Sequence, residues 1–122
     1  MSESLFQTNS TMEDRFGKCP YATAQSLISG KWAILILHYL ESGPVRFNEL
    51  QRLMPKITHA TLSVQLKTLV ENGLVKRTQY ESIPPKVEYS LTEMGEKFRP
   101  VIDALQKWGQ EYIEYMKQVV PV

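Results

Sequence analysis

The segment from Lys56 to Leu91, KITHATLSVQLKTLVENGLVKRTQYESIPPKVEYSL, decides the fold, because its apolar residues recur with a helical period up to Val70 and alternate after Gly73. Thr58 stands where a hydroxyl can cap the free amides of a first helical turn, and Leu62, Leu66, Leu69 and Val70 form the apolar stripe behind it. The opposite face carries Ala60, Thr61, Val64, Lys67 and Thr68, side chains small, polar or cationic enough to approach base edges. Asn72-Gly73 tolerates positive φ and ends the helix. Leu74 to Glu81 is predicted to be a strand, Pro84-Pro85 the loop of a hairpin and Val87 to Leu91 the returning strand.

Working outward, Phe47, Leu50, Leu53 and Met54 have helical spacing and Pro55 ends the run, so Pro55-Lys56-Ile57 joins two helices crossing steeply. A helix-turn-helix followed by a hairpin is a winged helix, and the predicted class is α+β, mainly α. Further upstream, Cys19 is placed as the cap of a helix with Pro20 at its first position, running through Ala24, Leu27 and Ile28 until Gly30 breaks it. Lys31 to Leu40 has almost no polar face and reads as a central helix surrounded by protein, in which His38 is expected to be a hydrogen-bonded core histidine. At the other end, Thr92 is the expected cap of one long helix over about residues 92–117, with Glu93 and Glu96 in its first turns.

Along that last helix Phe98, Ile102, Leu105, Gly109, Tyr112 and Met116 step by four and three, and Val101, Trp108, Ile113 and Tyr115 widen the apolar surface. One small core does not cover so much. Phe98, Ile102, Leu105, Trp108, Tyr112 and Met116 are therefore expected to join two copies, with the N-terminal helix contributing, which would set two reading helices on a two-fold operator. The other reading is a helix folded back over its own domain.

A chain of 122 residues fits one domain. Residues 17–118 are assigned to it and residues 1–16 to a flexible arm, in which Leu5, Phe6 and Phe16 are candidate contacts to a partner subunit. Fourteen Lys and Arg against thirteen Asp and Glu give a net charge of +1, which says nothing about nucleic acid. The distribution does, since Pro44 to Glu88 holds Arg46, Arg52, Lys56, Lys67, Lys76, Arg77 and Lys86 against Glu49, Glu71, Glu81 and Glu88. No apolar run reaches the roughly 20 residues of a membrane span and no basic, apolar leader opens the chain, so a cytoplasmic protein is expected.

Thr61, Val64 and Lys67 are the expected groove-facing residues, with Thr58, His59 and Ser63 near the helix start in reach of bases or phosphates of double-stranded DNA. Arg46, Lys76, Arg77 and Lys86 are assigned to phosphates. The plainer readings are a solvated face and solubilising charges. Cys19 is the sole cysteine, which excludes an intrachain disulfide and a cysteine-rich metal site; no metal or other cofactor is expected. At a helix N-terminus beside Lys18 its thiolate is favoured, while an inert half-buried thiol is the alternative. Trp32 and Trp108 read as core aromatics, and a pocket between the central and last helices is a candidate site for a small apolar effector.

These residues resemble the HxlR-type winged-helix transcription regulators of bacteria and archaea. The resemblance runs from Cys19-Pro20 through Gly30-Lys31-Trp32, Gly43 to Leu50 (GPVRFNEL), Leu62 to Lys67 (LSVQLK), Gly73-Leu74-Val75, Pro84 to Thr92 (PPKVEYSLT) and Trp108-Gly109. The chain departs from the family pattern at Ser29-Gly30, where two glycines are frequent, and His59-Ala60 falls in a region that varies. The resemblance implies a dimeric DNA-binding regulator, more often a repressor, and for some members a cysteine at the place of Cys19 that senses electrophiles or oxidants. Two histidines, one cysteine and no phosphate-cradling loop leave little machinery for an enzyme. A winged helix that binds protein rather than DNA is the remaining alternative, since a fold does not decide function.

Overall fold

The computed structural model describes Gly17 and residues 19–119. The expected arm, with Leu5, Phe6 and Phe16, and the Lys18 charge lie outside the described residues. Among the described residues six helices and three strands follow one another: α1 Pro20–Ile28, α2 Ala33–Tyr39, β1 Val45–Arg46, α3 Phe47–Leu53, α4 His59–Glu71, β2 Val75–Tyr80, β3 Lys86–Leu91, α5 Glu93–Glu96 and α6 Arg99–Val119.

The core forms where the apolar stripes converge. Ile36, Leu37 and Leu40 of α2, Leu50 of α3, Leu62, Leu66 and Leu69 of α4 and Val75 of β2 are all but sealed from solvent. Burying each such side chain contributes about 1.5–3 kcal/mol relative to exposure. The turn between α3 and α4 is held at two points: the Ile57 amide donates to the Met54 carbonyl at 3.2 Å, and Gln51 Nε2 donates to the Ile57 carbonyl at 2.6 Å.

The sheet has a strand that periodicity does not reveal. Its order is β1-β3-β2, antiparallel throughout, with Val45 opposite Tyr89 and Arg46 opposite Glu88. Two residues are too few to display alternation, so β1 is invisible until β3 is there to pair with it. The β2–β3 register sets Val75 against Leu91 and Tyr80 against Lys86.

The C-terminal helix is two helices, not the single one expected over 92–117. Lys97 and Phe98 form a turn between α5 and α6, and Pro100 explains it: proline has no amide hydrogen and its ring crowds the preceding turn, so it is tolerated only near a helix start. The Phe98 amide instead donates to Gly95 and the Ile102 amide to Phe98, both at 3.0 Å. Thr92 caps α5, accepting from the Gly95 amide at 3.0 Å, and donates its own hydroxyl to the Gly73 carbonyl at 2.6 Å. Gly73, at φ 78°, is the left-handed residue that ends α4. Gly95 sits so close beneath Leu74 that an added Cβ would collide with the Leu74 carbonyl oxygen.

Two further expectations change. His38 is exposed, not a core residue; its Nδ1 lies 3.0 Å from Glu41 Oε1, because the sector of α2 holding Leu35 and His38 faces outward. Ile102, expected to meet a second copy, is buried in its own core, since the first turn of α6 lies over α2. Arg99 pins that junction, pairing with Glu96 and donating from Nη2 to the Glu41 carbonyl at 2.6 Å.

Candidate nucleic-acid interface

The free face of α4 projects from the domain because its other face is taken by the core. Thr58 has extended backbone geometry, accepts from the Thr61 amide at 3.1 Å and donates to Thr61 Oγ1 at 2.9 Å, so these two hydroxyls open the helix as a pair. His59 leans on Phe47, ring centroids 4.5 Å apart, which fixes its direction. Ser63, Val64 and Lys67 are open to solvent. Val64 is 60% exposed, an apolar side chain held in water on a polar face, which suits contact with a thymine methyl.

The three-stranded sheet divides the four cations assigned to phosphates. Residues opposite one another in the register share a face of a sheet, and neighbours along a strand alternate. Arg46, Lys76 and Lys86 therefore stand on one face with Thr78, Tyr80, Glu88 and Ser90, while Arg77 stands on the other, which closer to the domain holds the buried Val45, Val75 and Leu91. Arg77 keeps one near partner, Gln79 Oε1 at 3.5 Å from Nη1. Arg46, Arg52 and Lys86 line an open groove of about 360 Å³ between the start of α3 and the hairpin loop, with Glu49 and Asn48 on its wall.

Lys86 is not free in that groove. Its Nζ lies 3.4 Å from Glu88 Oε2 and 5.0 Å from the centre of the Tyr80 ring. Hydrogen bonding toward the Glu88 carboxylate, together with that group's charge, raises the Tyr80 phenol above its usual range. Tyr80 and Glu88 escaped the sequence reading, although Tyr80 stands four residues after Lys76 and Glu88 two after Lys86, even spacings that put each on the same face of its strand as the cation. Arg99 escaped it too: its partner Glu96 stands three residues earlier, a spacing the sequence shows, whereas Glu41 is distant along the chain and gives no signal.

The remaining predicted residues separate by depth. Phe98 packs against the core and Ile102 lies within it, whereas Leu105, Trp108 and Tyr112 are exposed and Met116 is half-buried. Trp108 and Tyr112 stack on each other in the open, 5.5 Å apart and 18° from parallel. Beside them an apolar groove of about 310 Å³ runs between α2 and α6, lined by Ile34, Leu35, His38, Ile102, Leu105 and Gln106. Cys19 is half-buried at the cap position of α1 and makes no side-chain capping bond. No helix among the described residues is long and apolar enough to cross a membrane.

Residues 27–117 match the family described as HxlR-like helix-turn-helix. The chain is 46% identical over 99 residues to the uncharacterized HTH-type transcriptional regulator YdeP of Bacillus subtilis, covering 81% of this chain and 77% of that one. Among solved structures it resembles the redox regulator HypR, in the oxidized form with TM-score 0.73 and 40% identity, covering 76% of this chain and 96% of the other. The reduced form gives TM-score 0.78 and 36% identity, covering 82% and 99%. The reduced form of the transcriptional regulator YodB from B. subtilis gives TM-score 0.70 and 36% identity over 78% and 94%.

Proposed function

Because this chain belongs to the HxlR-like helix-turn-helix family, we propose that it is a DNA-binding transcription regulator working as a homodimer on an operator of inverted symmetry. The observation that carries the reading is the solvent-facing side of α4, where Val64 and Lys67 stand clear of the domain behind the Thr58–Thr61 cap, next to a hairpin bearing three cations. Thr61, Val64 and Lys67 enter the major groove, His59 and Ser63 reach its edge, and Arg46, Lys76, Arg77 and Lys86 take phosphates.

Two copies meet through the exposed part of α6, from Leu105 through Trp108 and Tyr112 to Met116, with α1 alongside, whose Tyr21 is 86% exposed. Repression is the mode that direct operator occupancy favours. Cys19 is the switch: a thiol at a helix cap, unengaged by the cap itself, sits where modification disturbs α1 and so the dimer. HypR is described as a redox regulator, which fits this reading. The apolar groove between α2 and α6 supports a second reading, in which a small apolar effector takes the place of thiol chemistry.

The test is binding of the purified protein to duplex DNA from its own upstream region across a salt series, with and without a thiol-reactive electrophile. Affinity should fall steeply with salt, and the electrophile should abolish binding in the native protein but not in Cys19→Ser. Release by electrophile in Cys19→Ser as well would remove Cys19 from the mechanism, and the absence of binding at any salt would remove DNA.

A further inference from the structure

The outer face of the sheet carries three cations and, among the described residues, one carboxylate, Glu88. It occupies the middle strand, opposite Arg46 of β1 on one side and Thr78 of β2 on the other. Its side chain is 19% exposed, against 36% for Lys86, so the anion lies beneath the cation rather than beside it in open solvent. Lys86 Nζ meets Glu88 Oε2 at 3.4 Å and rests 5.0 Å from the Tyr80 ring centre, and the Glu88 carboxylate raises the Tyr80 phenol above its usual range. The three side chains close on one another.

We propose that Glu88 is a positioning residue that holds Lys86 folded back on Tyr80 and so keeps one cation per wing out of non-specific contact with DNA. The inference rests on the DNA-binding reading above. A lysine already paired with a carboxylate neutralises no phosphate and releases no condensed counterion, and to reach a phosphate it must exchange Glu88 for the phosphate oxygen. The pair is exposed enough for that exchange to be cheap once the reading helix is seated and the wing is pressed to the backbone. On a sequence that α4 does not read, nothing drives it, and Lys86 stays where it is. Glu88 thereby widens the gap between operator and unrelated DNA without touching either.

The experiment uses a mixed-sequence duplex and the full chain as wild type, Glu88→Gln, Lys86→Ala and the double variant, across a salt series. Glutamine keeps the shape and removes the charge. Glu88→Gln is expected to bind the duplex about threefold or more tightly at low salt, with a salt slope steeper by about 0.9 per subunit, the increment of one newly neutralised phosphate. In the Lys86→Ala background the same change should do nothing. A gain that survives Lys86→Ala is bulk charge and overturns the proposal, as do an unchanged slope and a loss of affinity in Glu88→Gln. Absence of binding by every variant at the lowest salt overturns the DNA-binding reading itself. A second readout needs no DNA: in Glu88→Gln the Tyr80 phenol should titrate at lower pH than in wild type, followed by ultraviolet absorbance with unfolding curves confirming an intact fold; an unmoved phenol means the three side chains do not close as described and the proposal fails.

Discussion

Thr92 Oγ1 donates to the Gly73 carbonyl at 2.6 Å, joining the end of the reading helix to the start of α5 across nineteen residues of chain. The same oxygen accepts from the Gly95 amide at 3.0 Å. Thr92→Val keeps the shape and removes both bonds, and should destabilise the domain by about 1–2 kcal/mol, the scale of a lost cap. Urea unfolding measures it, and Thr92→Ser should retain most of the stability.

Gly95→Ala should cost more than its added methyl suggests. The new Cβ meets backbone, the Leu74 carbonyl oxygen, so relief requires α5 to move away from β2. A loss of about 1–3 kcal/mol is expected from such overpacking. Gly109→Ala is the contrast: among the described residues nothing beyond its chain neighbours and its own helix backbone lies within 4 Å of a Cβ there, and helix propensity alone should make an isolated subunit more stable by about 1 kcal/mol. Thermal unfolding of both variants in the same buffer tests the pair of expectations.

Acid should weaken the junction between α5 and α6. The hydrogen bond and charge of Arg99 hold the Glu96 carboxyl below its usual range, against a smaller opposing effect of burial. A carboxyl depressed in the folded state binds fewer protons there than in the unfolded chain, so its contribution is complete above the usual carboxylate range and disappears as pH falls through the depressed value. Arg99→Met should flatten the dependence of stability on pH in that acid window. Denaturation midpoints taken at successive acid pH values show it, and an unchanged dependence would mean that the Arg99–Glu96 pair does not persist in solution.

Dimer and domain should come apart by mutation. Trp108 is 66% exposed and outside the core, so Trp108→Glu is expected to give a monomer in sedimentation with its domain stability nearly unchanged. Ile102→Glu, which charges the core itself, should unfold the domain. Equal damage from both would refute the division of α6 into a packed start and a free remainder.

On α4, Lys67→Ala should lower the salt slope of DNA binding by about 0.9 per subunit if Lys67 meets a phosphate, and leave it nearly unchanged if it meets a base. Val64→Ala should weaken operator binding without altering the slope. Both substitutions lie on exposed positions and should leave the unfolding midpoint within experimental error, which separates their effect from folding.

The reading helix, the hairpin and the cap residues were legible in the sequence because each obeys a local rule: Thr58 and Thr92 cap, Leu62, Leu66 and Leu69 repeat, Gly73 turns. What was hidden depended on partners remote along the chain. β1 exists only through Tyr89 and Glu88, and Arg99 ties α6 to the end of α2 only because Glu41 comes to it. Pro100 was a local signal, and the strength of the apolar repeat around it masked its meaning. The apolar composition of Lys31 to Leu40 suggested burial on every side, but Leu35 and His38 face outward because a single domain has too little mass to surround α2.

The break before Pro100 also makes α6 a lever. Its 21 residues extend about 31 Å, and among the described residues only its first turns rest on the domain. A rotation of about ten degrees at Lys97-Phe98 would swing the far end by about 5 Å, close to one helical pitch. In a pair of subunits joined along that shaft, a change too slight to disturb any core contact at the pivot would alter the spacing of the two reading helices by more than the rise of a base pair.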